Sequence, residues 1–168
     1  MTKRISFILV SLAMLLGIAL PAQAETLSPN VFQSPGYLCL AEGGAGSCFV
    51  GNGNYQAYLG AAGASTFHAI LTSSTYDGNP VYAFEDNSGN CIRGGNGNVV
   101  KMATCDYADD PEQKWIKITN SDSSFKLENY GHTGNYMGTD SILSDQLIWY
   151  EGEHNGYYVS WELESPNG

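Results

Sequence analysis

A short sequence unit that is typical of β-strands occurs three times along this chain. VYAFEDNSGNCI (residues 81–92) aligns with FKLENYGHTGNYM (residues 125–137), and VFQSPGYLCL (residues 31–40) has a similar shape. An aromatic residue then opens a strand-like stretch in each copy: Phe67, Trp115 and Trp161. These aromatic residues are 48 and 46 residues apart, a period typical of units that bury their apolar faces only against neighbouring copies.

The stretches around these aromatic residues predict strands. They are short, rich in Tyr, Phe, Val and Ile, and separated by Gly, Asn, Asp and Ser, with no sustained 3.6-residue apolar period. Three copies favour a closed three-fold arrangement over a propeller or an open solenoid. We therefore predict one all-β domain over residues 25–168, with repeats at about 30–78, 79–121 and 122–168. A large ring from each repeat should meet the others in a shared core.

The first 24 residues have the order of a secretory signal peptide. Lys3 and Arg4 precede an almost wholly apolar run at 5–20, and residues 22–24 form a small-x-small cleavage site. The apolar run is short for a membrane span, and no later segment is longer. We predict removal of residues 1–24, an extracellular or periplasmic protein, and no membrane insertion.

Charge limits the partners of the mature chain. Without Lys3 and Arg4, five basic and 17 acidic side chains remain, a formal charge of −12. A surface of that sign repels phosphate backbones, so we expect no nucleic-acid binding.

The cysteine count predicts disulfides. The exported part contains four cysteines, which in an oxidising compartment form two bridges in one of three connectivities. No two cysteines have the short spacing of zinc ligands, and no histidine stands near them in ligand spacing. We predict neither a metal nor a cofactor.

The segment 91–115 carries a recognisable motif. It runs from Cys91 through Asn-Gly-Asn and Cys105 to Gln113-Lys114-Trp115. That order and spacing resemble one repeat of the ricin B-chain type lectins, a β-trefoil family. The middle repeat matches fully, whereas the outer repeats keep the aromatic residue without the glutamine. The Gln113 side chain can bind backbone groups within its hairpin, so the motif is chiefly architectural.

The resemblance also implies the disulfide pairing. Cys91–Cys105 matches the family's bridge within a repeat. The repeat alignment gives Cys39 the position of Cys91, and a three-fold arrangement holds equivalent residues apart. Cys39–Cys48 is then expected as a second local bridge, although Cys48 has no counterpart in this alignment.

Most residues of the family's galactose pocket are absent from this chain. It uses an Asp two residues after the first Cys, a Gln and an aromatic residue before the second Cys, and an Asn beside Gln-x-Trp. The second repeat differs at all four positions: Arg93, Lys101, Ala103 and Glu112. In the first repeat the Asp and aromatic positions fall on Ala41 and Tyr55, and in the third the Asp position is Gly138.

The third repeat remains the best candidate for a sugar site. It offers a carboxylate, two amides and a ring that can bind hydroxyl groups and the apolar face of a sugar: Asp140, Gln146, Trp149 and Asn155. Counting back from Trp161 gives Trp149 the family's aromatic position. The alternative is that Trp149 and Tyr150 are ordinary strand residues, one in the core and one on the surface.

The resemblance implies a secreted, non-catalytic carbohydrate-binding module whose partners are glycans or a glycosylated cell surface. The family also includes cell-binding subunits of bacterial toxins. The scattered histidines His68, His132 and His154 have no motif partner, so we expect no enzyme. The alternative is a β-trefoil that has lost sugar binding and acts by protein contact, for example as a protease inhibitor.

Overall fold

The computed structural model describes residues 35–43, 47–53, 55–60, 62–95, 97–143 and 145–165. The predicted signal peptide, 1–24, lies outside these ranges. Within them the chain forms one 3-10 turn, Pro111–Gln113, and 12 strands: β1 (Gly36–Leu40), β2 (Cys48–Asn52), β3 (Tyr55–Gly60), β4 (Thr66–Tyr76), β5 (Asn79–Asp86), β6 (Asn90–Gly94), β7 (Val100–Thr104), β8 (Trp115–Thr119), β9 (Phe125–Asn129), β10 (Tyr136–Gly138), β11 (Trp149–Glu151) and β12 (Trp161–Glu164). None of the described helical structure has the length and hydropathy that crossing a bilayer requires.

Six of the strands form a closed ring of antiparallel pairs. Within each repeat the first strand pairs with the fourth: β1–β4, β5–β8 and β9–β12. Between repeats the fourth strand pairs with the next first strand: β4–β5, β8–β9 and β12–β1. The other six form three hairpins: β2–β3, β6–β7 and β10–β11. Each hairpin is attached to the first strand of its repeat, which gives a β-trefoil-like fold.

The strand register defines which residues correspond between repeats. The central aromatic residues lie opposite the first strand at Gly36↔Phe67, Tyr82↔Trp115 and Phe125↔Trp161. Each hairpin joins the first strand at Cys39↔Cys48, Glu85↔Cys91 and Glu128↔Tyr136. One residue further on, the hairpins place buried pairs over the core: Phe49↔Leu59, Ile92↔Met102 and Met137↔Tyr150.

The core contains a fully buried ring from each repeat: Phe67, Trp115 and Trp161. The two indoles make equivalent hydrogen bonds, Trp115 Nε1 to the Ile92 carbonyl at 3.0 Å and Trp161 Nε1 to the Met137 carbonyl at 2.7 Å. Phe67, the equivalent residue of the first repeat, has no hydrogen-bond donor in its ring. It packs edge-on against Phe49, with the ring centroids 5.2 Å apart. Because Phe49, Ile92 and Met137 are equivalent, the three contacts repeat one packing scheme.

Gln113 is buried and binds backbone on both sides of a loop. Its Oε1 accepts from the Asp106 amide at 2.7 Å, and its Nε2 donates to the Thr104 carbonyl at 2.8 Å. A buried amide needs such partners. The side chain therefore ties the end of β7 to the loop that leads into the central tryptophan.

Both disulfides are formed within repeats. Cys39 is bonded to Cys48 and Cys91 to Cys105, and the described chain has no free cysteine. The first bridge joins neighbouring strands β1 and β2, and the second links β6 to the residue after β7. Two disulfides are consistent with an extracellular protein.

The predicted correspondence of Cys39 with Cys91 is wrong. Cys39 lies on the first strand of its repeat, where the second repeat has Glu85, and Cys48 takes the position of Cys91. The first repeat has only 19 residues from Cys48 to its central aromatic residue, against 24 in the second. The segment before the central aromatic residue is therefore shorter in the first repeat, and this shifted the alignment by one strand.

Candidate functional site

Each hairpin turns alternate side chains away from the core, and these outer faces differ between repeats. One set of outer pairs is Cys48↔Gly60, Cys91↔Ala103 and Tyr136↔Glu151. The next set, two residues further along each hairpin, is Val50↔Tyr58, Arg93↔Lys101 and Gly138↔Trp149. These faces contain the positions at which the lectin resemblance expects sugar ligands.

Trp149 does not occupy the position predicted from the family pattern. It lies opposite Gly138, as Lys101 lies opposite Arg93, so it corresponds to Lys101 and not to Ala103. Counting back from the central tryptophan failed because the preceding loop is two residues shorter in the third repeat than in the second. Trp149 is nevertheless half-buried on the outer face, while its neighbour Tyr150 is in the core.

The first repeat is also displaced from its predicted alignment. Its Asp position is Val50 and not Ala41, and its aromatic position is Gly60 and not Tyr55. Tyr55 pairs with Asn52 at the far end of the hairpin, where 74% of its surface is exposed. The corrected positions therefore offer neither a carboxylate nor a ring.

An ion-pair network covers the outer face of the second repeat. Arg93 Nε donates to Asp110 Oδ2 at 2.7 Å, and its Nη2 pairs with Glu112. The other Glu112 oxygen lies 3.0 Å from His132 Nε2. Although desolvation opposes the charge, the hydrogen bond and charge of Asp110, with Glu112, raise the pKa of Arg93. We call these four residues the second-repeat network, in which Arg93 pairs with both carboxylates.

In the third repeat, a tyrosine covers the equivalent position. A Cβ at Gly138 would overlap the Tyr158 carbonyl oxygen and lie 3.0 Å from Tyr157 Cζ, so only glycine fits beneath this ring. The Tyr157 hydroxyl is shared between the carbonyl oxygens of Tyr136 at 2.8 Å and Trp149 at 3.1 Å. Burial, with the charge of Glu151, raises the pKa of Tyr157. The ring is therefore fixed on the β10–β11 hairpin.

His154 lies on top of Tyr157. The two rings stack with centroids 5.0 Å apart and planes 16° from parallel. His154 Nε2 is 3.0 Å from Glu151 Oε1 and 3.6 Å from Asp140 Oδ1. The hydrogen bond to Glu151 and then the Asn155 carbonyl raise the pKa of His154. We call Asp140, Trp149, Glu151, His154 and Tyr157 the third-repeat surface.

The structure brings together part of the predicted sugar site. Asp140, with 63% of its side chain exposed, lies near His154, and Asn155 is exposed beside that histidine. Gln146 lies elsewhere, since its carbonyl accepts from the Leu59 amide of the first repeat at 2.8 Å. The segment that contains Gln146, just before β11, pairs with β3 of the first repeat. The residue before Asp140 instead pairs with Tyr158.

Glu151, His154 and Tyr157 were missed by the sequence reasoning. Their spacing matches no motif, because the Glu151–His154 pair lies in a strand end and a loop, where a separation of three residues has no regular geometry. Asp140 reaches His154 through the β10–β11 pairing and the bridge between Thr139 and Tyr158. The one available signal was the concentration of aromatic, acidic and histidine residues at 149–158.

Solved structures share this fold at low sequence identity. A GH43 β-1,3-galactosidase has a TM-score of 0.65 and 11% identity over 80% of this chain. The cytolethal distending toxin of Actinobacillus actinomycetemcomitans has a TM-score of 0.58 and 13% identity, covering 78% of this chain and 92% of that chain. ThreeFoil, a designed three-fold symmetric protein, has a TM-score of 0.61 and 14% identity, covering 77% of this chain and 97% of ThreeFoil.

These similarities define the fold and leave the family open. This chain spans only 27% of the galactosidase chain. At such identities the likeness shows a shared fold alone. Neither a protein-family model nor a curated protein sequence matches the chain.

Proposed function

We propose that this protein is a secreted, non-catalytic carbohydrate-binding module and that the third-repeat surface is its binding site. The observation that carries the proposal is that Trp149 and Glu151 lie on the outer face of one hairpin, and that Glu151 and Asp140 both meet His154. Sugar sites combine a few polar groups that bind hydroxyls with a ring that contacts the apolar side of the sugar. The fixed Tyr157 supplies a rigid base for these groups.

Each residue has a distinct role in this proposal. Trp149 contacts the apolar face of the sugar ring, while Asp140 accepts hydrogen bonds from hydroxyl groups. Asn155 is exposed beside His154 and extends the polar part of the site. Gln146 is left out, because its segment pairs with β3.

The structural neighbours support a role linked to carbohydrates or toxins. One is a galactosidase and another is a cytolethal distending toxin. We extend the proposal to binding a glycosylated cell surface, including a role as the cell-binding subunit of a toxin. The two disulfides support action outside the cytoplasm.

A glycan array followed by fluorescence titration tests the proposal. Trp115 and Trp161 are fully buried, so a bound sugar should change the emission of Trp149 in a saturable way. We expect Trp149→Ala to reduce glycan affinity at least tenfold. Lys101→Ala, the change at the equivalent position of the second repeat, should leave the affinity unchanged. Absence of binding to every glycan on the array would refute the proposal.

A second candidate function is protein contact through the long β4–β5 hairpin. Leu71 is 54% exposed and Tyr76 is 37% exposed there. A cleft of about 300 Å³ separates this hairpin from Tyr107 and Lys114. Inhibition of a purified protease, lost in Leu71→Ser and retained in Trp149→Ala, would favour this function over glycan binding.

A further inference from the structure

Three potential metal ligands meet at the edge of the third-repeat surface. Asp140 follows β10, Glu151 ends β11, and His154 lies in the next loop. One oxygen of each carboxylate and a ring nitrogen of His154 all lie within 4.8 Å of one another. A second group, Cys39, Cys48 and Glu164, is equally close, but its sulfurs are joined in a disulfide and do not bind a metal as thiolates.

The orientation of His154 places a nitrogen between two acceptors. Its Nδ1 lies 3.3 Å from the Asn155 carbonyl oxygen, and a carbonyl only accepts, so Nδ1 donates. In the neutral ring, Nε2 then has a lone pair facing Glu151 and Asp140, which are also acceptors when ionised. A proton on Nε2 or a metal ion between Nε2 and the two carboxylates would satisfy these acceptors.

The ring is held in this orientation without a metal. Its stacking on Tyr157, which is only 7% exposed, fixes the plane of the imidazole. A metal-binding histidine commonly donates its other ring N–H to a carbonyl or carboxylate, as His154 does towards Asn155. The ligand orientation is therefore set by neighbours that do not themselves bind the ion.

We infer that Asp140, Glu151 and His154 form a binding site for a transition-metal dication, with Zn²⁺ as the best match. Zinc binds nitrogen and oxygen ligands at about 2.0–2.2 Å, so tetrahedral ligand atoms lie about 3.3 Å apart. The observed separations from His154 Nε2, 3.0 and 3.6 Å, bracket that value. An imidazole ligand favours zinc over magnesium and calcium, which prefer oxygen alone.

Three protein ligands leave one position of a tetrahedral zinc ion open. Water or an oxygen of a bound molecule can take it. This proposed site departs from the expectation, drawn from the sequence, that the protein binds no metal. It shares Asp140 and Glu151 with the proposed glycan site, but it needs no sugar, because all three ligands belong to the protein.

Isothermal titration of the untagged, chelator-treated protein with zinc chloride tests the inference. We expect one zinc ion per chain. Loss of an outer partner of a metal site weakens binding about 10- to 100-fold, so loss of a ligand in His154→Ala should cost at least that factor. Asp140→Asn and Glu151→Gln should each weaken binding tenfold or more.

His68→Ala is the matched control. His68 is exposed and contacts Asn87 at 3.2 Å, so its loss removes a surface histidine without touching the site. Near-ultraviolet circular dichroism should show that every variant keeps the fold. No zinc binding, or binding that survives in His154→Ala or is lost equally in His68→Ala, would overturn the inference. Because the titration contains no glycan, that failure would leave the glycan proposal standing.

Discussion

The second and third repeats share a buried framework and differ on their outer faces. Trp115 and Trp161 make equivalent indole hydrogen bonds in the core. On the surface, Arg93 is paired with two carboxylates, whereas its counterpart Gly138 lies beneath Tyr157. The second repeat thus pairs both carboxylates with one arginine, while the third leaves Asp140 exposed beside His154.

This difference separates what the fold requires from what the surface can vary. The core positions must accept large apolar side chains because they fill a shared interior. The outer position holds arginine in the second repeat, and only glycine fits in the third, where Tyr157 and the Tyr158 carbonyl cover it. A binding function can therefore reside in one repeat while another contributes stability alone.

The largest expected effect tests the shared framework. Trp115→Ala and Trp161→Ala should each lower the free energy of unfolding by about 3–5 kcal/mol, because each opens a cavity in the core and leaves one carbonyl without its indole donor. Chemical denaturation measures both values. Trp149→Ala, on the outer face, should cost clearly less. A loss from Trp149→Ala as large as from the core tryptophans would contradict the assigned positions.

A smaller effect tests the covered glycine. Gly138→Ala should cost about 1–3 kcal/mol, because the new methyl group overlaps the Tyr158 carbonyl and presses on the Tyr157 ring. Gly95→Ala is the control, since its Cβ would meet no atom closer than 3.4 Å. Thermal and chemical unfolding should show a loss only for Gly138→Ala. Equal behaviour of the two variants would mean that Tyr157 does not cover the third repeat as described.

The smallest effect tests the second-repeat network. Arg93→Ala should cost about 1 kcal/mol or less, because its ion pairs are partly exposed to water. The loss should shrink as salt is added, since screening weakens the wild-type attraction. Unfolding measured at low and high ionic strength checks both points. A cost of several kcal/mol that is insensitive to salt would show that Arg93 is structural in a way the surface pairing does not explain.

The framework could be predicted from sequence because large aromatic residues mark it once per repeat. Phe67, Trp115 and Trp161 are recognisable by spacing alone, and all three are buried together. The hairpin register could not be predicted by counting, because the loop before each central aromatic residue differs in length. Counting residues to the central aromatic residue therefore misplaced Cys39 by one strand and Trp149 by two residues.

The candidate site was only partly predictable for a related reason. Asp140, Trp149 and Asn155 stood out because they are the residue types that sugar sites use. Glu151 lies at the end of a strand and His154 in the loop that follows, so no periodic pattern relates them to Asp140. Their proximity depends on the β10–β11 pairing and on Tyr157, which tertiary structure alone defines.

Nuclear magnetic resonance of the three indole N–H groups tests whether a glycan binds at the surface tryptophan of the third repeat. Trp115 and Trp161 donate to buried carbonyls, whereas Trp149 lies on the third-repeat surface. On titration with a glycan selected from the array, we expect a saturable shift of the Trp149 indole signal and unchanged signals for the two core tryptophans. A bound glycan that leaves Trp149 unshifted and perturbs Arg93 and Lys101 would contradict this expectation.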